Sequence, residues 1–436
     1  MDKRGKRARA VELGKDVLIV LLLCSAVWLL ARSQLFHSNR TQDHQVSSIQ
    51  TQSGTRADTA RPLRMTANLE GSADNIRYGV QYDAGAADTL FGQVASLLVE
   101  ALSSAGEPER VTRAQWERAQ LTAPGVSFDF QGKLPVSVLV GWLSGEESRM
   151  DAVIRRMTLT VWQEKVALYY RDEEDGLYYR FLSEVASKNH LVEALANLGD
   201  NGAAYAFESE TYRVLDPDTL VSPEPGNPPV YGAANPVSGG RAALEDVMSD
   251  LGFALDASSF YSSGDEQVAR SGNDDIRLSE RGVAKYRAGE DSDRFQIAAQ
   301  EGSSALFESV EACRQVAAAA LGPRMGEARL YLISAEETGE GLEVCFGYCL
   351  NGSVVQLESG SAAWFLVRNG RIDQFELHFR SYTDSGERSV VLPVRQAAAA
   401  LEAMGLEGEE LLLVYRDTGG DTVTASWASA GIAEVR

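Results

Sequence analysis

Side chains suited to covalent catalysis are scarce in this chain. A serine or cysteine nucleophile needs a neighbouring base, most often histidine, and the histidines are His37, His44, His190 and His378. The first two fall in a polar segment, the third is predicted on a helix surface and the fourth on the polar face of a strand. No G-x-S-x-G, H-E-x-x-H or glycine-rich phosphate motif occurs. The sequence therefore argues against an enzyme.

The cysteines and the acidic runs give no better site. Cys345 and Cys349 lie four positions apart without nearby histidines, which makes them a poor zinc site. In a strand their Cα atoms would be about 13 Å apart, beyond disulfide reach. Cys313 could pair with one of them, or all three could be buried thiols. The acidic run 172–175 lacks the ligand spacing of a calcium loop. We expect no metal or cofactor.

The most distinctive stretch is apolar: residues 17–31, VLIVLLLCSAVWLLA, carry no charge. As a helix this run is about 22 Å long, and its flanks extend it to a membrane anchor over 17–36. Six basic residues lie in 1–16, which predicts a cytoplasmic N-terminus and an extracytoplasmic remainder. The alternative is a signal peptide cleaved after Ala31, although Leu29 suits such a site poorly.

One face of this predicted helix could contact another membrane helix. Leu21, Cys24, Ser25 and Trp28 share a side, where small residues permit close packing and Ser25 could form a hydrogen bond across an interface. The alternative is that Cys24 and Ser25 are merely tolerated while Trp28 anchors the helix at the membrane surface.

Charge restricts the partners of the exterior region. The chain has a formal net charge of −21, and residues 1–16 carry +3, so the remainder carries −24. Such an acidic exterior argues against nucleic acid and against anionic membrane surfaces as partners.

Helices followed by antiparallel strands recur along the exterior, which predicts an α+β fold made of sheet-plus-helix modules. The connector between the first two modules contains six of the 12 prolines, and we expect it to form neither helix nor central strand. The predicted organisation is a basic tail (1–16), an anchor (17–36), a flexible stalk (37–60), a first domain (61–215), a proline-rich connector (216–236), a second module (237–300) and a C-terminal module (301–436).

Two local patterns are sharp enough to test. An apolar stripe from Leu90 to Leu102 predicts an amphipathic helix, for which we expect Asp88 as the N-terminal cap. Asn351-Gly352 and Asn369-Gly370 lie between alternating runs and predict hairpin turns.

Several phrases resemble the YycH/YycI regulators of Gram-positive bacteria. They are RYGVQYD (77–83), TYRVLDPDTLV (211–221) with Ala234-Asn235-Pro236, the segment 251–288 that begins LGFALDASSFYSS, CFGYCLNGSVVQL (345–357) and AWFLVRNGRIDQFELHFRSY (363–382). These phrases are hydrophobic patterns with turns, so they support an architecture more than a mechanism. With an anchor, a stalk and an exterior α+β region, the resemblance covers nearly the whole chain.

The resemblance implies a function in signalling. Members associate with a cell-wall sensor histidine kinase in the same membrane, possibly together with a paralogous regulator. They adjust signalling partly through contacts between transmembrane helices. It also implies exterior modules similar to PepSY-like or cystatin-like domains, and it supplies no catalytic residue. The alternative function is an exterior binding module for a wall polymer, peptide or small ligand, lined by Trp364, Tyr348 and residues 172–175, with the anchor only a tether.

Overall fold

The structure is a computed structural model that describes residues 56–70, 76–104, 106–146, 148, 150–237, 240–299 and 303–430. The predicted tail, the predicted anchor and most of the predicted stalk lie outside these ranges, as do Leu21, Cys24, Ser25 and Trp28. Among the helices that the structure describes, none combines the length and the hydropathy needed to cross a membrane.

The described helices are short, apart from two long ones. They are α1 (Arg56–Thr59), α2 (Ala84–Ser103), α3 (Arg113–Leu121), α4 (Val136–Ser144), α5 (Lys188–Leu195), α6 (Arg241–Asp250), α7 (Ala305–Leu321) and α8 (Val394–Ala403). The last five residues of the predicted flexible stalk, 56–60, are therefore ordered. α1 occupies four of them, and Thr59 and Ala60 are buried because they pack into the core.

The strands of the first half form one sheet and one short ladder. They are β1 (Arg64–Leu69), β2 (Ile76–Val80), β3 (Glu109–Val111), β4 (Gly125–Pro135), β5 (Val153–Trp162), β6 (Lys165–Asp172), β7 (Tyr178–Leu182), β8 (Ala204–Tyr205) and β9 (Leu220–Ser222). A seven-stranded sheet has the order β2-β1-β4-β5-β6-β7-β3, and β8 pairs with β9.

The remaining strands build the larger sheet and a smaller one. They are β10 (Pro229–Ala234), β11 (Ser258–Ser263), β12 (Glu266–Ser271), β13 (Asp274–Ser279), β14 (Val283–Arg287), β15 (Arg329–Thr338), β16 (Gly341–Leu350), β17 (Ser353–Leu357), β18 (Ala363–Arg368), β19 (Arg371–His378), β20 (Ser381–Arg388), β21 (Leu411–Asp417), β22 (Thr422–Val423) and β23 (Ala425–Ser429). The described elements confirm the predicted α+β class with antiparallel sheets.

Helices cover both faces of the seven-stranded sheet, so β1 is buried along its whole length. Met65, Ala67 and Leu69 pack with α2 in the main core. The alternate residues are polar, and one of them, Asn68, contacts α3, where it donates to the carbonyl of Gln120 at 2.7 Å. A fully buried strand that alternates apolar and polar side chains thus separates an apolar layer from a hydrogen-bonded one.

The predicted apolar stripe of α2 is buried, but its predicted cap is wrong. Leu90, Leu98 and Leu102 are all in the core. The helix begins earlier, at Ala84, and the carboxylate of Asp83 accepts a hydrogen bond from the amide of Ala86 at 3.0 Å. Asp88 lies inside the helix, because the turn before the apolar stripe is also helical, and its carboxylate has another role described below.

The eleven-stranded sheet joins the two predicted C-terminal modules. Its path is β11-β12-β13-β14-β19-β18-β16-β17-β21-β23, with β15 on the other side of β16. Strand β14 pairs with β19 in antiparallel register, so hydrogen bonds of one sheet cross the predicted boundary at 300. The pairing of β17 with β21 is parallel.

The proline-rich connector contains a central strand, which contradicts the expectation that prolines would prevent one. β10 lies between β20 and β22 in a three-stranded sheet. The physical reason is placement: Pro229 is the first residue of the strand, Pro236 follows its end, and the amides between them remain free to pair.

Both predicted Asn-Gly turns are present. Asn351 and Gly352 have φ of 48° and 82°, and Asn369 and Gly370 have φ of 52° and 72°. Two consecutive positive φ values are the signature of the tight hairpin turn that asparagine and glycine favour. The Asn351 side chain also accepts from the amide of Ala84 at 3.1 Å, which joins this turn to the start of α2.

Candidate functional site

Trp364 and Tyr348, two of the side chains suggested for a ligand site, do not share a face of the sheet. Trp364 lies opposite Cys345 in the β16–β18 pairing, so it shares a face with Cys345, whereas Tyr348 points to the other face. Tyr348 is buried, and its hydroxyl donates to the carbonyl of His378 at 2.9 Å. Within the described ranges, no group of three or more His, Cys, Asp or Glu side chains could hold a metal ion.

A different polar arrangement surrounds the first described residues. Arg56, Arg61 and Arg64 each form an ion pair with a carboxylate that lies far away in the sequence. We call this set, with its partner carboxylates Glu311, Asp88 and Glu410, the N-terminal junction. It lies where the chain that follows the predicted stalk meets the rest of the described fold.

Glu311 of α7 is the first centre of the junction. One of its oxygens, Oε1, accepts from Arg56 Nε and Arg314 Nη2, both at 2.9 Å. The other, Oε2, accepts from Trp142 Nε1 at 2.9 Å and from Arg314 Nε at 2.8 Å. Burial alone would raise the pKa of Glu311, but the hydrogen bonds and charge of Arg314 and the charge of Arg56 lower the pKa to about 2.

Packing around Glu311 fixes α4 and α7 against α1. The guanidinium of Arg56 lies 5.5 Å from the ring centre of Phe307. On the other side of this ring, α4 comes so close that a Cβ on Gly141 would lie 2.3 Å from Phe307 Cε2. Only glycine permits this approach, so α4 presents Trp142 to the carboxylate at hydrogen-bonding distance.

Asp88 is the second centre and joins three segments of the chain. Its Oδ2 lies 2.7 Å from Arg61 Nη1 and 2.9 Å from Arg329 Nη1. Arg61 also contacts Asp58 Oδ1 at 2.9 Å. These groups are partly exposed, so each pair is weaker than a buried one, but together they connect the end of α1 to α2 and β15.

Glu410 is the third centre; it is buried, as is Arg64, and it also contacts the partly buried Arg155 and Arg156. Its Oε1 lies 2.9 Å from Arg64 Nη1 and 2.8 Å from Arg156 Nη2, and its Oε2 lies 2.6 Å from Arg155 Nη2. Burial alone would raise the pKa of this carboxyl, but the charges of Arg155, Arg156 and Arg64 hold it below its usual range.

Asp129 neutralises the same arginines from the side of β4. Its Oδ1 lies 3.2 Å from Arg155 Nε, and its Oδ2 lies 3.1 Å from Arg156 Nε. Although burial opposes ionisation, Arg155, Arg156 and Arg64 lower the pKa of Asp129. Removing one member of such a buried network leaves another charge without a partner, which destabilises a protein strongly.

The junction therefore connects distant segments of the described chain through charges and hydrogen bonds. The lowered pKa values of Glu311 and Glu410 keep these two carboxylates ionised and unsuited to proton transfer at neutral pH. The backbone reinforces the junction, because Leu63 donates to the carbonyl of Asp129 at 2.9 Å. The segment 56–64 is thus held to α2, α7 and the C-terminal region at once.

A second feature is an apolar groove near the C-terminus, which we call the C-terminal groove. It lies between α8, the extended residues 390–392 and β23, and its cavity volume is about 330 Å³. Leu411 and Trp427 are among the residues that line it, and the Trp427 indole donates to the carbonyl of Leu392 at 2.7 Å.

Sequence reasoning did not identify either feature. The ion pairs of Arg56 with Glu311 and of Arg64 with Glu410 join residues more than 200 positions apart, and nothing in a single sequence links them. One signal was available: Arg56, Arg61 and Arg64 are basic residues close together at the start of a region with a strongly acidic balance. The sequence does not reveal the groove, because the residues that line it come from a helix, a loop and a strand that are separate along the chain.

Comparison with known proteins gives one informative result. No protein-family profile matches the chain, and no curated protein does. A crystal structure of YycH from Bacillus subtilis is similar, with a TM-score of 0.54 and 11% sequence identity. The alignment covers 88% of this chain and 96% of that chain. At this identity the likeness shows a YycH-like fold, over nearly the full length of both chains.

Proposed function

We propose that the chain is a membrane-anchored, extracytoplasmic regulator of a sensor histidine kinase. The observation that carries the proposal is the YycH-like fold across nearly the whole chain. The phrases that resemble the YycH/YycI regulators support it from the sequence. In this proposal residues 17–36 cross the cell membrane once, and the exterior modules belong to the PepSY-like or cystatin-like type.

The N-terminal junction gives this function a mechanical basis. A regulator with an exterior sensor and a membrane contact needs the exterior fold to act on the chain that leads to the membrane. The ion pairs of Arg56, Arg61 and Arg64 hold the segment that follows the predicted stalk to three distant parts of the fold. A change of shape in the exterior region would therefore move residues 56–64, from which the predicted stalk leads to the anchor.

The proposed contact with the kinase is the anchor face formed by Leu21, Cys24 and Ser25 with Trp28. Small residues on this face let a second helix approach closely. A kinase bound through this face, with a paralogous regulator as a second partner, would respond to rotation or displacement of the anchor.

Site-specific photo-crosslinking in cells tests the proposal. A photoreactive amino acid is placed in the full-length chain at Leu21, Ser25 or Trp28, and at Leu23 or Leu30 on the opposite side of the predicted helix as matched controls. Irradiation is expected to join the first set, and not the controls, to a sensor histidine kinase identified by mass spectrometry. Equal yields on both faces, or no kinase among the products, would refute the contact and leave the anchor a tether.

A further inference from the structure

The C-terminal groove exposes apolar side chains to an unusual degree. Val390 is 93% exposed, Leu392 is 52% exposed and Met404 is 62% exposed. These three are half of the six large apolar side chains that are exposed among the described residues. A cluster of this kind, around a groove of about 330 Å³, is typical of a surface that a partner covers.

The local geometry favours a helix over a strand as the occupant. An added strand would pair with the backbone of residues 390–393, but the Leu392 carbonyl already accepts from the Trp427 indole and Pro393 has no amide hydrogen. In contrast, the outer flank of α8 presents Ala399, Ala400 and Ala403, which are small and exposed. Small side chains let a second helix lie close alongside.

Charge restricts the occupant further. Two exposed glutamates, Glu402 and Glu407, lie within three positions of Met404, and residues 396–415 contain no lysine or arginine. The whole chain carries −21. A second copy of this acidic chain would be repelled from the groove, whereas a basic partner would be attracted.

We propose that the C-terminal groove binds an amphipathic helix of a partner protein, with an apolar face and basic flanking residues. The apolar face covers Val390, Leu392 and Met404, and the basic residues meet Glu402 and Glu407. This is the helix-in-groove mode of recognition. The proposal goes beyond the proposed contact at the anchor, because it concerns a second surface and stands whether or not the anchor contacts a kinase.

The chain carries its own reporter for this site. Among the methionines in the described part of the chain, Met404 is exposed, while Met65, Met150, Met157, Met248 and Met325 are buried. The full-length protein is labelled with ¹³C at the methionine methyl groups and placed in phosphatidylcholine nanodiscs, and Met404→Leu assigns the groove signal. The probe is a leucine–lysine peptide of about 14 residues, long enough to form an amphipathic helix, and its leucine–glutamate counterpart is the control.

The lysine peptide is expected to shift the Met404 signal and leave the buried methionines unchanged. Leu392→Ser should weaken its binding about tenfold, since the loss of one buried leucine contact is of that size. Val185→Ser, at an apolar residue elsewhere that is 63% exposed, is the matched control and should change the affinity less than about twofold. Unchanged signals of Met65 and Met248 show that each variant is folded.

Four outcomes would overturn the proposal. The Met404 signal could fail to shift with the lysine peptide, or Leu392→Ser and Val185→Ser could weaken binding equally. The glutamate peptide could bind as well as the lysine peptide, which would remove the charge argument. The signal could shift with protein concentration alone, which would make the groove a contact between copies of this chain.

Discussion

The N-terminal junction and the C-terminal groove differ in both polarity and exposure. In the junction, the carboxylates of Glu311 and Glu410 are buried, and each accepts hydrogen bonds from two or more arginine or tryptophan donors. In the groove, apolar groups are exposed, with Val390 and Met404 open to solvent. Each region thus holds side chains in an unfavourable environment: charged groups away from water in the junction, and apolar groups in water in the groove.

The difference lies in what compensates for this placement. Buried ions become stable when opposite charges and hydrogen bonds surround them, and the junction supplies these from its own fold. Exposed apolar groups become stable when something covers them, and the groove has no such cover within the described residues. The junction is therefore an internal connection, whereas the groove is a surface for an external partner.

The largest expected effect is at Glu410, where removal leaves Arg64, Arg155 and Arg156 without their shared partner. Glu410→Ala should lower the free energy of unfolding by about 3–5 kcal/mol. Glu407→Ala, which removes an exposed carboxylate nearby, is the control and should change it by less than about 0.5 kcal/mol. Chemical denaturation of both variants measures the difference, and similar losses would show that the buried network is unimportant.

Acid should lower the free energy of unfolding through the carboxylates of the junction. The folded pKa of Glu311 is about 2 and its ordinary value is 4.5, so this carboxyl stabilises the fold at neutral pH. The contribution, on the order of 3 kcal/mol, is complete above the ordinary pKa and is lost as the pH falls from about 4.5 to about 2. Asp129 and Glu410, whose pKa values are also lowered, act in the same direction.

Denaturation of the wild-type chain at several pH values between 7 and 2 checks this expectation. Glu311→Gln should have lower stability than the wild type at pH 7 and a shallower loss on acidification. The same slope in both proteins would mean that Glu311 does not contribute to the acid response.

A smaller effect is expected where β4 meets β15, near the junction. A Cβ on Gly132 would lie 1.8 Å from the carbonyl oxygen of Leu332, so the two backbones would have to separate. Gly132→Ala should destabilise by about 1–3 kcal/mol. Gly92→Ala, in the open part of α2 where a Cβ meets nothing within 4 Å, should instead stabilise by about 0.5–1 kcal/mol. Thermal unfolding tests both predictions, because Gly132→Ala should lower the unfolding temperature and Gly92→Ala should raise it.

The smallest effect on stability is expected in the groove itself. Leu392→Glu and Met404→Glu replace exposed apolar side chains, so each should change the free energy of unfolding by less than about 0.5 kcal/mol. A large loss by chemical denaturation would mean that these side chains support the fold, and the contrast between the two regions would then fail.

The sequence predicts local structure well here and long-range structure poorly. The stripe from Leu90 to Leu102 and the turns at Asn351 and Asn369 depend on neighbouring residues, and the structure contains them. The missed strand β10 depends on partners in β20 and β22, which lie more than 140 positions further along the chain. Asp88 illustrates the same limit: its place in the sequence suggests a cap, but its function depends on Arg61 and Arg329.

Hydrogen exchange of the full-length chain tests the central claim, a firm hold on the segment that follows the predicted stalk. The amides of Ala60 and Leu63 bond to the carbonyls of Arg56 and Asp129 at 3.1 and 2.9 Å. The account predicts that the amides of Ala60 and Leu63, measured residue by residue, exchange slowly, that residues 390–392 of the groove exchange fast, and that Glu311→Gln speeds exchange at Ala60 while β1 stays protected. Exchange of Ala60 and Leu63 as fast as that of 390–392 in the wild-type chain would contradict it.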